Sequence, residues 1–229
     1  MKARGMELRD ALLLRKTALF ERWKKSGNRT FYGEMEAVVK NLEALVRELD
    51  ATIDDLRERA RNWRFVGDSY FEMSGGTDAV QLKKSLTAYE AAKSLLSGVE
   101  APAERMELHS CCGDVLYGLS DGKDTETLRK ARHEYHQALE IAPPGSDATA
   151  RGVERAVAMV DTLVALLEER SDLWRRISDR KRIAAGSSAE DFDLNIEIPE
   201  DAALFTRLLD IHQRVSRATQ EPHGSRRPA

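Results

Sequence analysis

The spacing of apolar residues predicts helix along most of the chain. Apolar side chains recur every three or four residues, the period of one helix face, over residues 7–25, 32–60, 148–169 and 203–218. A Ser-Gly-Asn-Arg turn at 26–29 separates the first two stretches. The apolar stripe of the first stretch is formed by Leu8, Ala11, Leu12, Leu19 and Trp23. The two stretches are therefore expected to form a helical hairpin.

The 32–60 stretch also carries a heptad seam. Met35, Leu42, Leu49 and Leu56 follow one another at intervals of seven residues. Such a seam packs either on a neighbouring helix of the same chain or on a second copy in a coiled coil. The short loop to the first stretch favours the hairpin, and a homodimer through the N-terminal helices stays open.

Internal similarity appears when the chain is shifted by 46 residues. A first unit, with helical stretches 62–73 and 78–96, matches a second unit, with helical stretches 103–119 and 125–141. A polar loop separates the two stretches of each unit. The matched positions are Gly67/Gly113, Asp68/Asp114, Ser74/Ser120, Gly76/Gly122, Asp78/Asp124, Leu82/Leu128, Lys84/Lys130, Tyr89/Tyr135 and Ala92/Ala138.

The two units resemble the tetratricopeptide-repeat (TPR) family. In the first unit the W-x₂-L-G-x₂-Y pattern of that family is followed by Trp63, Val66, Gly67 and Tyr70. In the second unit the later part of the pattern is carried by Ala131, Tyr135, Ala138, Leu139 and the closing Pro143. The family period is about 34 residues, so the longer period here implies extended loops within and between the units.

These patterns together predict an all-α fold. We expect an N-terminal helical hairpin (1–60), then a short TPR-like α-solenoid with a capping helix (61–184). The third part (185–229) comprises a linker, an extended segment, a tail helix from about 203 and a disordered end. A further helix is expected to begin at Ser171, beyond the capping stretch.

The extended segment shows the two-residue alternation of a strand. Apolar and polar side chains alternate over 191–198, and Pro199 ends the pattern. Its apolar positions are Phe192, Leu194, Ile196 and Ile198. It is predicted to dock, either in the groove of its own chain or on a partner's sheet edge. A linker pinned against the solenoid is the simpler alternative.

Composition and charge narrow the functional classes. Hydrophobic residues make up 41% of the chain, charged residues 33%, and the formal net charge is −3, which gives no reason to expect nucleic-acid binding. The basic run at 175–182 is interpreted as a solvated helix end. Pairing with the acidic 190–201 segment and contact with nucleic acid are the second and third alternatives. The chain has no apolar run of about 18 residues, the length needed to span a membrane, so membrane insertion is not expected. The adjacent Cys111 and Cys112 do not indicate a disulfide framework, so a cytoplasmic setting is expected.

A group of cysteines and histidines suggests zinc at first sight. Its members are His109, Cys111, Cys112, His133 and His136. The 46-residue shift assigns the cysteines to the packing positions of Phe65 and Val66, which favours a structural role. No metal, no cofactor and no catalytic residue is therefore expected, and the chain is predicted not to be an enzyme.

The resemblance implies a binding groove lined by the first helix of each unit. The positions it assigns are Arg61, Arg64, Asp68, Phe71, Glu72, Glu107, Asp114 and Tyr117. Asp68 and Asp114 stand where the family's carboxylate clamp has Asn, so a partner with a basic and apolar segment is expected. Alternatively, these two aspartates cap local backbone groups. The resulting hypothesis is a non-catalytic adaptor or scaffold. The alternative is a dedicated client chaperone or regulatory subunit, secretion-chaperone-like, of a bacterial complex.

Overall fold

The computed structural model describes residues 2–185 and 199–220, with side chains for 3–179 and 206–218. Helices are the only regular elements among these residues and are joined by turns and short loops, so the all-α prediction is confirmed. The helices are α1 (Lys2–Ser26), α2 (Arg29–Asp50), α3 (Leu56–Ser74), α4 (Ala79–Leu95), α5 (Pro102–Ser120), α6 (Thr125–Glu140), α7 (Asp147–Ala185) and α8 (Pro199–Gln220). None of the described helices is long and apolar enough to cross a membrane.

Each helix packs on the next one along the chain. The α1/α2 hairpin is followed by the pairs α3/α4 and α5/α6, which are the two repeat units, and then by α7 and α8. The apolar core runs through all of them in two adjoining clusters, one centred on α1–α4 and the other on α6–α8. The hairpin prediction is confirmed, because Met35 and Leu42 of the heptad seam are buried within the chain.

The prediction of one helix over 32–60 is wrong. Helix α2 ends at Asp50, and α3 begins at Leu56. The Thr52 hydroxyl donates to the carbonyl of Leu49, and the carboxylate of Asp55 accepts from the backbone N–H of Arg57 as an N-cap. Between these polar contacts, the buried Ile53 fixes the turn in the core. Leu56 therefore starts a new helix instead of extending the seam.

The predicted stripe of α1 is also partly wrong. Leu8 is 51% exposed, whereas Leu19 is buried and Leu12 packs on the core. The inward face includes Lys16, which is only 6% exposed. A lysine on this face was not predicted, because its carboxylate partner lies in α3, far away in the sequence.

The C-terminal part is described only in part. The helix predicted over 148–169 and the one predicted from Ser171 are a single helix, α7. Helix α8 includes the predicted tail helix and buries Ile211 and Val215. The predicted docking segment and the predicted disordered end lie outside the described residues. The docking residues concerned are Phe192, Leu194, Ile196 and Ile198.

The 46-residue similarity corresponds to repeated contacts. A Cβ placed on Gly67 would lie 2.5 Å from the Tyr89 ring, and one on Gly113 would lie 2.5 Å from the Tyr135 ring. Only glycine therefore allows this approach between the two helices of each unit. The second helices begin alike, since Asp78 and Asp124 each accept two backbone N–H bonds as N-caps.

We predict that Gly67→Ala destabilises the protein. The added methyl must displace a buried ring, and overpacking of this kind costs about 1–3 kcal/mol. Alanine gains roughly 0.5–1 kcal/mol over glycine in a helix, so the net effect stays unfavourable. Urea unfolding followed by circular dichroism measures the change.

Gly152→Ala in α7 is the matched control. No atom lies within 4 Å of a Cβ at Gly152, so only the helix propensity changes. This variant should be as stable as the wild type or more stable, by up to about 1 kcal/mol. Equal stability of the Gly67→Ala and Gly152→Ala proteins would contradict the proposed close approach.

Candidate functional site

The predicted groove positions of α3 and α5 meet through an ion pair. The guanidinium of Arg64 donates to the carboxylate of Glu107 across the two helices, and its Nε lies 3.7 Å from Oδ2 of Asp68. Burial opposes the charge of Arg64, but Asp68 and Glu107 outweigh it and raise its pKa. Arg64 therefore stays charged and links the two repeat units. Arg61 is exposed beside them.

Helix α1 adds to this face a third row, which was not predicted. Nζ of Lys16 lies 2.6 Å from Oε2 of Glu72, and Nη1 of Arg9 donates to Oδ1 of Asn62 at 2.6 Å. The Arg9 guanidinium also lies 5.7 Å from the centre of the Phe65 ring. Arg9 and Lys16 are seven residues apart, which is two helical turns. This spacing is what the sequence offered as a sign that both side chains lie on one face of α1. We call this surface of α1, α3 and α5 the concave face, after the groove that the resemblance to the TPR family predicts there.

Asp68 and Asp114 each accept a hydrogen bond from the tyrosine on the second helix of their unit. The Tyr89 hydroxyl donates to Oδ1 of Asp68 at 2.7 Å, and the Tyr135 hydroxyl donates to Oδ1 of Asp114 at 2.8 Å. Both bonds join side chains from the two helices of a unit. Burial raises the pKa of Tyr89 well above its ordinary value, so its hydroxyl remains a donor at neutral pH.

The concave face is consequently close to charge balance. Each of the four predicted carboxylates (Asp68, Glu72, Glu107 and Asp114) accepts a hydrogen bond or pairs with a cation. The two predicted aromatic residues of this face are partly buried as well. Phe71 packs against the N-terminal core cluster and Tyr117 against the C-terminal one. The predicted acidic groove is thus a network of paired charges with partly exposed aromatic rings.

The cysteine and histidine residues do not gather around a common point. Cys111 and Cys112 are buried, and burial raises the pKa of Cys112, which keeps its thiol protonated. His133 and His136 are exposed on α6. Among the described residues, no group of three potential ligand side chains could hold a metal ion.

His109 belongs to a polar network between the units. Nδ1 of His109 lies 2.8 Å from Oε2 of Glu134, and Nζ of Lys93 lies 2.7 Å from the same oxygen. Burial alone would raise the pKa of Glu134, but its bonds to His109 and Lys93 lower it below the ordinary value. Lys93 comes from α4, His109 from α5 and Glu134 from α6, so the network joins three helices.

Comparison with known proteins gives no relative. No family model, no curated protein and no solved structure matches the chain.

We predict that Glu134→Gln destabilises the protein by about 1–2 kcal/mol at pH 7, because two donors lose a charged acceptor. The lowered pKa of Glu134 means that its contribution is complete above the ordinary glutamate pKa of about 4.3. That contribution is lost as the pH falls through the lower folded-state value. The stability difference between wild type and variant should therefore shrink below about pH 4.

Chemical unfolding from pH 7 to pH 3 measures this dependence. Glu154→Gln, at an exposed position of α7, serves as the control and should change stability by less than about 0.5 kcal/mol. A difference between wild type and Glu134→Gln that stays constant down to pH 3 would refute the role of the carboxylate charge.

Proposed function

We propose that the chain is a non-catalytic, TPR-like adaptor or scaffold that binds a segment of a partner protein along the concave face. The observation that carries this proposal is the contrast between the interior and the surface of the two units. Gly67, Tyr89 and Asp68 have identical counterparts in the second unit. The partly exposed positions differ, since Arg61 and Glu72 correspond to Glu107 and Gly118. A repeated frame with unlike outer residues suits recognition of one particular sequence.

The paired carboxylates of the concave face can each accept a further hydrogen bond from a partner. The side chains of Glu72 and Glu107 are 32% and 40% exposed. A carboxylate has about four lone-pair sites, so each can accept a second bond from a lysine or arginine without losing the first. Phe65 and Phe71 are partly exposed nearby. The supported partner is therefore a segment with basic and apolar side chains.

The perturbed titratable groups support a non-catalytic role. Burial in the packing between helices is the largest cause of the raised pKa values of Tyr89 and Cys112. Both side chains lie in the N-terminal core cluster and are at most 2% exposed. Structural packing therefore accounts for pKa shifts that would otherwise point to a reactive group.

Site-specific photo-cross-linking in cells that naturally make the protein tests this proposal. Benzoylphenylalanine at Arg61 and at Tyr117 should capture the same partner protein, because both positions lie on the concave face. The same probe at His133 and at Glu140, which are exposed on α6, provides the controls and should not capture it. Absence of a common partner at Arg61 and Tyr117 would rule out the concave face as the binding surface.

The partner's charge preference can be measured once the partner is identified. The double variant Glu72→Gln/Glu107→Gln should bind it roughly tenfold more weakly, since charged hydrogen bonds are lost. Glu154→Gln is the matched control and should leave the affinity unchanged. A captured partner that folds only with this chain present and is then released would favour the client-chaperone alternative.

A further inference from the structure

A recess opens between α2 and α4, the second helices of consecutive pairs. Its volume is about 280 Å³, and its lining includes Trp63, Ala88, Ala91 and the charged residues Glu43, Arg47 and Lys84. Trp63 is 9% exposed and Ala88 is 2% exposed, so both lie deep in this recess. Concave-face contacts such as Arg64 with Glu107 involve other side chains of α3, and none of them lines the recess.

The recess is a departure from the repeat. The 46-residue shift matches Trp63 with His109, Ala88 with Glu134 and Ala91 with Gln137. At the matching positions of the second unit, His109 and Glu134 bond to each other, and Glu134 also binds Lys93. The recess of the first unit is therefore lined by two alanines at positions where the second unit has Glu134 and Gln137.

Two cations stand at the rim. The Arg47 side chain is 62% exposed, and its guanidinium lies 5.3 Å from the centre of the Trp63 ring. Nζ of Lys84 lies 5.1 Å from the centre of the Tyr70 ring. Both cations rest on aromatic faces, which orients them at the mouth of the recess.

The lining contains a single carboxylate, that of Glu43, and it already accepts two hydrogen bonds. Oε2 of Glu43 accepts from the Tyr70 hydroxyl at 2.6 Å, and Oε1 of Glu43 accepts from Arg47 at 2.6 Å. Burial alone would raise the pKa of Glu43, but these bonds lower it, so the group stays ionised. The lining thus carries two positive charges and one negative charge, an excess of one positive charge over an apolar floor.

The size of the recess indicates what fits. Pockets for small-molecule ligands usually measure about 300–1,000 Å³, and this recess lies just below that range. It accommodates one large side chain, the kind of anchor that dominates many protein interfaces. The excess positive charge favours carboxylates beside that side chain.

We propose that the recess binds an aromatic or branched aliphatic side chain from an acidic peptide segment of a partner protein. The side chain packs between Trp63, Ala88 and Ala91, and flanking carboxylates pair with Arg47 and Lys84. This second binding surface is independent of the concave face, which takes a basic segment. The chain's own Asp-Phe-Asp-Leu sequence at 191–194 has the same chemistry, and the test treats it as the alternative occupant.

The test uses a fluorescein-labelled peptide with the sequence of residues 190–197, Glu-Asp-Phe-Asp-Leu-Asn-Ile-Glu. Fluorescence anisotropy measures its binding to the full chain and to a full chain carrying Phe192→Ser and Leu194→Ser. We expect saturable binding that weakens roughly tenfold with Arg47→Gln or Ala91→Gln. Arg155→Gln, at an exposed position of α7, is the control and should leave the affinity unchanged.

Ala91→Gln is chosen because Gln137 already occupies the matching position of the second unit. A peptide with serine in place of its Phe and Leu should not bind. Incorporation of 5-fluorotryptophan gives a second measurement. The ¹⁹F resonance of Trp63 should shift on peptide addition, and those of Trp23 and Trp174 should not.

Each outcome decides the proposal. Binding to the wild type confirms an open recess for a partner. Binding only after Phe192→Ser and Leu194→Ser would identify the chain's own segment as the occupant and would overturn the proposal of a partner segment. No saturable binding to either protein would overturn the proposal. Binding that is unchanged by both Arg47→Gln and Ala91→Gln would overturn it equally.

Discussion

The contact between a glycine and a tyrosine ring in each repeat unit is the constraint on which the remaining structure depends. Gly67 has no side chain, so the Tyr89 ring can lie directly against the α3 backbone. The Ser85 hydroxyl donates to the carbonyl of Gly67 at 2.8 Å and fixes the same crossing. With the ring held there, the Tyr89 hydroxyl reaches Asp68. Packing therefore determines the position of a charged group at the surface.

That charged group transmits the constraint to the next unit. Asp68 lies beside Arg64, and Arg64 binds Glu107 on α5. A buried ring, two carboxylates and one guanidinium thus connect the interior of the first unit to the concave face of the second. The exposed fraction of these charges is about a third, so each pair stabilises the fold only modestly. They also link α3 to α5 and so orient the two units relative to each other.

Local patterns made most of the fold predictable, and distant contacts account for what was missed. Helical periodicity and the 46-residue similarity identified both units, because their packing residues are close in sequence. The break before Leu56 was missed, because a capping aspartate and a buried isoleucine interrupt a periodic pattern there. The pairing of Lys16 with Glu72 joins residues 56 positions apart, and no local pattern shows it. The predicted groove residues were therefore only part of the concave face.

The two units also show that one packing pattern can carry different side chains. His109, Glu134 and Lys93 form a network at the positions that match Trp63, Ala88 and Arg47 of the recess. An open apolar recess forfeits dispersion contacts along its walls, so it does not improve stability. At the matching positions of the second unit, the same chain has a polar network instead. The difference between the units therefore favours recognition over stability as the role of the recess.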